Sequence, residues 1–131
     1  MIIFQSYNYS PSLKSNNNEK KSSIQEQTYI PDDNFEAALI SYGYDDVLDD
    51  YVITSNISSL KSLKLNDRQI LDPTGIQDFI ELTDLSFTNN LLTSLDISNN
   101  KALKNLEIND NFLTSIDVSN NTELILFSLY N

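Results

Sequence analysis

Apolar residues in the second half of the chain recur at a fixed interval. Leu82, Leu85, Phe87 and Leu92 return as Leu103, Leu106, Ile108 and Leu113, and the pattern starts again at Leu124, Phe127 and Leu129, a step of 21 each time. Asn90 and Asn111 keep the same register, and the phrase LTSLDISNN at 92–100 reappears as LTSIDVSNN at 113–121. One step earlier Leu60, Leu63, Leu65 and Ile70 repeat the pattern at a spacing of 22, with Arg68 where an asparagine is expected. Self-similarity at such a period marks stacked units, each too small to bury its apolar side alone. Within each unit the x-L-x-L alternation predicts a short strand that turns Leu63 and Leu65, Leu85 and Phe87, Leu106 and Ile108, and Phe127 and Leu129 inward. Stacked about 4.8 Å apart, such strands form a parallel ladder, with Asn90 over Asn111 satisfying backbone groups in consecutive turns. Leu92, Leu95 and Ile97 alternate too, which predicts inward residues and a second short strand on the convex side.

The first half lacks this period. From Ser10 to Thr28 the chain is rich in Ser, Asn, Lys, Gln and Glu, too polar to repay the entropy of ordering, so residues 1–28 are expected to be a flexible leader. MIIF at the start is followed at once by QSYNYS, which leaves no apolar core for a signal peptide; MIIF reads either as ordinary leader or as the tail of a longer apolar segment. Residues 29–59 read as an N-terminal cap. Asp33 with Glu36 has the spacing of a capping box, Phe35, Ala38, Leu39 and Tyr42 share one helical face, and Gly43 stands where a glycine ends a helix. A helix over about 33–42 is expected, then a short strand at about 51–54. The repeats occupy 60–131, starting at 60, 82, 103 and 124, the last one incomplete.

Composition narrows the chemistry. The chain of 131 residues contains no cysteine and no histidine, so thiolate chemistry, disulfides, the commonest general base and the commonest transition-metal ligand are all excluded. Net charge is −11. The first 30 residues carry Lys14, Lys20 and Lys21 against Glu19 and Glu26, so the acidity lies in the folded part. That sign repels phosphate backbones and anionic lipid, so neither nucleic acid nor membrane insertion is expected.

The segments LTDLSFTNNLL and LKNLEINDNFL match the LxxLxLxxNxL signature and resemble leucine-rich repeats. LDPTGIQDFIEL, together with YIPDDNFEAAL and the LTSLDISNN phrases, is similar to secreted bacterial repeat proteins of the internalin type. The fold this implies is a leucine-rich-repeat solenoid of the α/β-type repeat class, built mainly of short parallel strands and loops, with about four coils and a short helical cap. The compartment implied is extracellular or the cell surface.

Several residues are candidates for chemistry. Asp96 and Asp117 fall in one column, where like charges need hydrogen bonding or a bridging calcium ion; neighbouring Ser, Thr or backbone amides are the expected partners. Asp45, Asp46, Asp49 and Asp50 lack the glycine and closing glutamate of an EF-hand, so they read as a solvated loop. Asp84 with Glu107 could form a carboxylate pair, but no cleft marks it for glycosidase chemistry. Asn56-Ile-Ser58 matches a glycosylation acceptor and is taken as incidental. No metal and no cofactor is expected.

Function then rests on the outward positions of the ladder, the concave face. By register these are Ser62, Lys64, Asn66, Asp84, Ser86, Thr88, Asn105, Glu107, Asn109, Leu126, Ser128 and Tyr130; Asn90 and Asn111 are structural. The reading is a non-enzymatic module that binds a protein or a glycan there. Two alternatives stand: a structural N-terminal fragment of a larger adhesin or surface protein with its binding site elsewhere, or the noncatalytic part of a secreted enzyme. The uncharged apolar stretch at 124–130 is further expected to pair edge to edge with another copy.

Overall fold

The protein is described here from a computed structural model, covering residues 24–130. Its spine is a parallel sheet of four three-residue strands in sequence order, and the repeat register determines their pairing. Taken in chain order the elements are β1 (Gln27–Tyr29), α1 (Asp33–Ser41), β2 (Tyr51–Ile53), α2 (Thr54–Ile57), β3 (Ser62–Lys64), a 3-10 turn at Ile76–Asp78, β4 (Asp84–Ser86), β5 (Asn105–Glu107) and β6 (Leu126–Ser128). β3 to β6 pair in that order, and Leu63, Leu85, Leu106 and Phe127 stack in one column. After β3, β4 and β5 the chain turns through a left-handed residue, Asp67, Asn89 and Asp110 respectively, each with φ between 54° and 58°. Asp and Asn tolerate that conformation because their short polar side chains bond locally; Asn89 Nδ2 donates to Asp67 Oδ1 at 2.6 Å.

The next residue of each turn is the ladder position. Asn90 is 4% exposed; its amide donates to the carbonyls of Leu65 and Phe87, and its Oδ1 accepts from the N–H groups of Arg68 and Ile70. Asn111 repeats this one coil later, donating to Phe87 and Ile108 and accepting from Leu92 N–H. One carboxamide thus satisfies both coils it joins. At the equivalent place in the first coil Arg68 swings outward, its guanidinium 5.5 Å from the centre of the Tyr42 ring. The preceding element there is α1, and Asn34 Nδ2 donates to Gln69 O instead.

A second asparagine column runs through the return half. Asn100 donates to the carbonyls of Ile76 and Phe79, and Asn121 to those of Ile97 and Asn100. The return half is not a strand. Leu92, Leu95 and Ile97 are buried as the alternation requires, but residues 91–100 form no ladder. Their backbone bends instead around Asp96, whose Oδ1 accepts Ser98 N–H, and around the Asn100 bond from its own N–H to Ile97 O.

The N-terminal elements close one end of the core. Helix α1 buries Phe35, Ala38 and Leu39 completely; the Phe35 ring lies 6.0 Å from both Phe79 and Phe87, stacked on the first and edge-on to the second. The N-cap is Asp32, not Asp33: Asp32 Oδ1 accepts from Asn34 and Phe35 N–H, and its Oδ2 accepts from Leu71 and Asp72 N–H. One carboxylate therefore caps the helix and binds it to the first coil. Glu36 does not reach back as a capping-box residue would. It is fully buried and accepts from the N–H groups of Asp49, Asp50 and Tyr51, gathering the acidic loop against the helix. The helix ends in a Schellman turn, with Gly43 at φ 78°, Gly43 N–H on Ile40 O and Tyr44 N–H on Leu39 O.

The expected leader falls mostly outside the described residues. Its last two residues, however, belong to β1, which pairs antiparallel with β2, Thr28 opposite Val52. Thr28 is buried, and its hydroxyl donates to Asp78 Oδ2 at 2.7 Å. The core approaches this small sheet so closely that a Cβ on Gly75, at φ 100°, would stand 2.7 Å from Tyr29 O. At the other end Phe127 is 43% and Leu129 36% exposed, against 2% or less for Leu63, Leu85 and Leu106 in the same column as Phe127. The inward positions of the fourth repeat are half open because no described element packs over them.

Candidate functional site on the concave face

The outward side chains of β3 to β5, with Leu126 of β6, line a shallow open depression of about 290 Å3. Its rim and floor comprise Ser62, Lys64, Asp84, Ser86, Asn105, Glu107 and Leu126, with Leu63 and Leu85 at the backbone level. The outward positions are not equivalent. Asn66 Oδ1 accepts from the Ser86 hydroxyl at 2.6 Å and from Thr88 N–H at 2.9 Å. Asn109 Oδ1 repeats this with Ser128 and Tyr130 N–H, at 2.7 Å and 3.2 Å. Asn66, Ser86, Asn109 and Ser128 therefore hold neighbouring strands together. Thr88 stands between the two asparagines in the column, with its hydroxyl buried. Ser62, Lys64, Glu107, Leu126 and Tyr130 are exposed, and Asp84 and Asn105 half-buried.

Asp84 is anchored. Its carboxylate accepts from the Thr83 hydroxyl and from the Asn105 amide, and these bonds, helped by the fields of Lys64 and Lys104, hold its pKa below the usual carboxylate value against the desolvation that opposes them. It is ionised at neutral pH. Ser86 Oγ lies 3.4 Å from Glu107 Oε2. Within 4 Å the single ion pair among the described residues is Lys61 with Glu81, so Lys64, Asp84 and Glu107 face the depression without a charged partner.

A second depression, about 240 Å3, adjoins the first across Ser62, Leu63 and Lys64, and its other wall is Tyr42 and Tyr44. The two rings lie 6.1 Å apart on either side of Gly43. The Tyr42 hydroxyl donates to Lys64 O, and the ring carries the Arg68 guanidinium on its face. The concave surface thus gains an aromatic wall from the segment that follows α1.

Comparison with known proteins agrees with the fold. Internalin J of Listeria monocytogenes serotype 4b (strain F2365) is 35% identical over 72 residues, which cover 55% of this chain and 8% of internalin J. Among solved structures, the functional domain of InlJ from Listeria monocytogenes superimposes with a TM-score of 0.69 at 32% identity, over 79% of this chain and 24% of that one. The internalin InlF from strain 4b F2365 shares the fold, with a TM-score of 0.66 at 23% identity, over 78% of this chain and 30% of that chain. The chain is a leucine-rich-repeat protein similar to the internalins. No family model matches it. It spans less than a third of each of these relatives' lengths.

The InlJ domain includes a cysteine ladder; this internalin-like chain has no cysteine and stacks asparagines at 90 and 111 and at 100 and 121. Asp96 and Asp117, in the return halves of their coils, are each held by one serine. Asp96 Oδ1 accepts Ser98 N–H and Asp117 Oδ1 accepts Ser119 N–H, and bonds to the serine backbone and hydroxyl lower both pKa values. Among the described residues no group of three or more acidic side chains is placed to hold a metal ion, and no helix is long and apolar enough to cross a membrane.

These three aspartates make stability pH-dependent. A folded-state pKa below the unfolded value means that the unfolded chain binds more protons as pH falls. The stabilisation is therefore present above the ordinary carboxylate pKa and is lost as pH drops through the lowered folded values. The urea midpoint should fall between about pH 6 and about pH 3, and Asp84→Asn should flatten part of that fall. An unchanged midpoint over this interval would show that the serine, threonine and asparagine bonds contribute nothing.

Proposed function

We propose that the chain is a non-enzymatic recognition module that binds a protein partner on its concave face, secreted or at the cell surface. The observation that carries this reading is the set of charged side chains, Lys64, Asp84 and Glu107, facing one continuous depression without ion-pair partners. Asn66 and Asn109 spend their acceptors within the sheet, whereas Lys64 makes no ion pair and Glu107 makes one long contact with Ser86 at 3.4 Å, so these two are available to a ligand. The compartment follows the resemblance to secreted bacterial repeat proteins. Aromatic residues and arginine are the commonest anchors of protein interfaces, and Tyr42, Tyr44, Arg68 and Tyr130 border this face. The same surface could also take a glycan, whose sugars stack on tyrosine rings. Replacing Lys64, Glu107 and Tyr130 together by alanine should abolish capture of a surface-protein partner, while loss of Lys64 and Glu107 alone leaves stability within about 0.5 kcal/mol. A partner retained by the triple variant would place the binding surface elsewhere.

A second reading is favoured by the apolar run at Ile125–Tyr130, of which Ile125 is 83% and Leu126 48% exposed. Here the chain acts as a structural element within a larger surface protein and the concave face is merely solvated. Under this reading the triple variant changes no binding at all.

A further inference from the structure

The charges on the concave face are ordered along the stack. At the end nearest α1 stand Lys64, exposed and unpaired, and Arg68, held over the Tyr42 ring. Two strands further on in the same cross-strand row stands Glu107, exposed on β5, and Asp84 lies on the intervening β4. Adjacent strands lie about 4.8 Å apart, so the cationic and anionic ends are separated by about 10 Å. In a chain of net charge −11 the cationic end is a local exception on a surface that otherwise attracts positive charge. Lys64 and Glu107 are too far apart to neutralise each other directly, and the hydroxyl and amide groups of Ser62, Ser86 and Asn105 fill the floor between them.

Resting on the concave-face reading above, we propose that the occupant is a polypeptide segment in the polyproline II conformation carrying one acidic and one basic side chain three positions apart. The acidic group lies over Lys64 beside the Tyr42 and Tyr44 rings, and the basic group over Glu107. Such a segment crossing the strands makes one turn in three residues and rises about 3.1 Å per residue, so side chains three apart face the same way and span about 9 Å, the two-strand interval. A carboxylate at the first position meets a primary amine in the depression that the two tyrosine rings wall. An ammonium or guanidinium at the second meets Glu107, with the Asp84 carboxylate, which its bonds to Thr83 and Asn105 keep oriented, one strand back. A segment with two like charges at this spacing would gain one contact and suffer repulsion at the other.

Selection from a displayed library of random twelve-residue peptides tests this on the 131-residue chain and on its Glu107→Lys variant, a substitution at an exposed side chain. The wild-type chain should enrich peptides with one acidic and one basic residue three apart. The variant should enrich peptides with two acidic residues at that spacing, and bind the first set at least about tenfold more weakly, which is ~1.4 kcal/mol. Amide resonances of Ser86 and Leu106 locate the bound peptide. Binders that shift these amides but carry no charge pair, or whose charge pattern is the same for both proteins, overturn the pairing and leave the concave-face reading standing. Binders that shift only amides elsewhere overturn both, and a selection that enriches no sequence overturns the charge pairing.

Discussion

Replacing Leu39 by Asp should unfold the repeats together with α1. Leu39 is fully buried, in one contiguous core with Phe35, Leu65, Phe79 and Phe87, and an unpaired carboxylate placed there has no donor to meet it. Losing a buried leucine side chain alone costs about 2–5 kcal/mol, and the uncompensated charge adds to that. The total approaches the whole stability of an ordinary domain, about 5–15 kcal/mol. The helix cannot detach quietly. Asp32 bonds it to Leu71 and Asp72 of the first coil, and Glu36 bonds it to Asp49, Asp50 and Tyr51. Hydrogen exchange reads the outcome directly: protection at Ile108 N–H, which bonds to Ser128 O two coils from the helix, should vanish in Leu39→Asp and fall less in Leu39→Ala. If Ile108 keeps full protection while α1 exchanges freely, the helix is an appendage and the coils stand without it.

The repeat period carried most of this architecture because each coil must place the same atoms over its neighbour. A leucine at 85, 106 or 63 can enter the core in one register only, and Asn90 over Asn111 follows from the same step. The period could not show which of two adjacent asparagines is used. Asn99 and Asn100 repeat together as Asn120 and Asn121, yet Asn100 is fully buried and Asn99 exposed, a choice made by an irregular turn without side-chain alternation. Nor does a period describe contacts outside itself. The segment after α1 is not repeated, so the tyrosine wall of the candidate site had no register to reveal it. The available signal was Tyr-Gly-Tyr at 42–44: a glycine ending a helix reverses the chain there, and two aromatic rings beside such a reversal can wall an adjoining surface. Glu36 was legible as polar and helical but not as buried, because its three backbone donors arrive from the loop at 49–51. On the concave face the alternation gave orientation without use. Asn66 and Asn109 face outward as the period requires, but they spend their acceptors on the next strand.

The 131-residue polypeptide, expressed by itself, should self-associate through 124–130. The bonds that Leu65, Phe87 and Ile108 N–H make to Ser86, Glu107 and Ser128 carbonyls have their next equivalent at Leu129 N–H, which points to the outer edge of β6. Around it Ile125, Leu126, Phe127 and Leu129 are exposed by 83%, 48%, 43% and 36%, with neither charge nor proline in the stretch. A strand edge of that composition recruits another strand, because pairing satisfies backbone groups and buries apolar surface in one step. Two copies meeting edge to edge would join their sheets and bring the two Phe127 rings over a shared core. The effect should be large: dimers or larger species at micromolar concentration in sedimentation, and precipitation on further concentration. Ile125→Lys with Leu126→Lys should restore a monomer without loss of stability, since lysine on an edge strand opposes such pairing and both side chains already face solvent. A monomer of 14.9 kDa that stays monomeric on concentration would sink the proposal, since the apolar surface of the fourth repeat would then be tolerated in water without a cover.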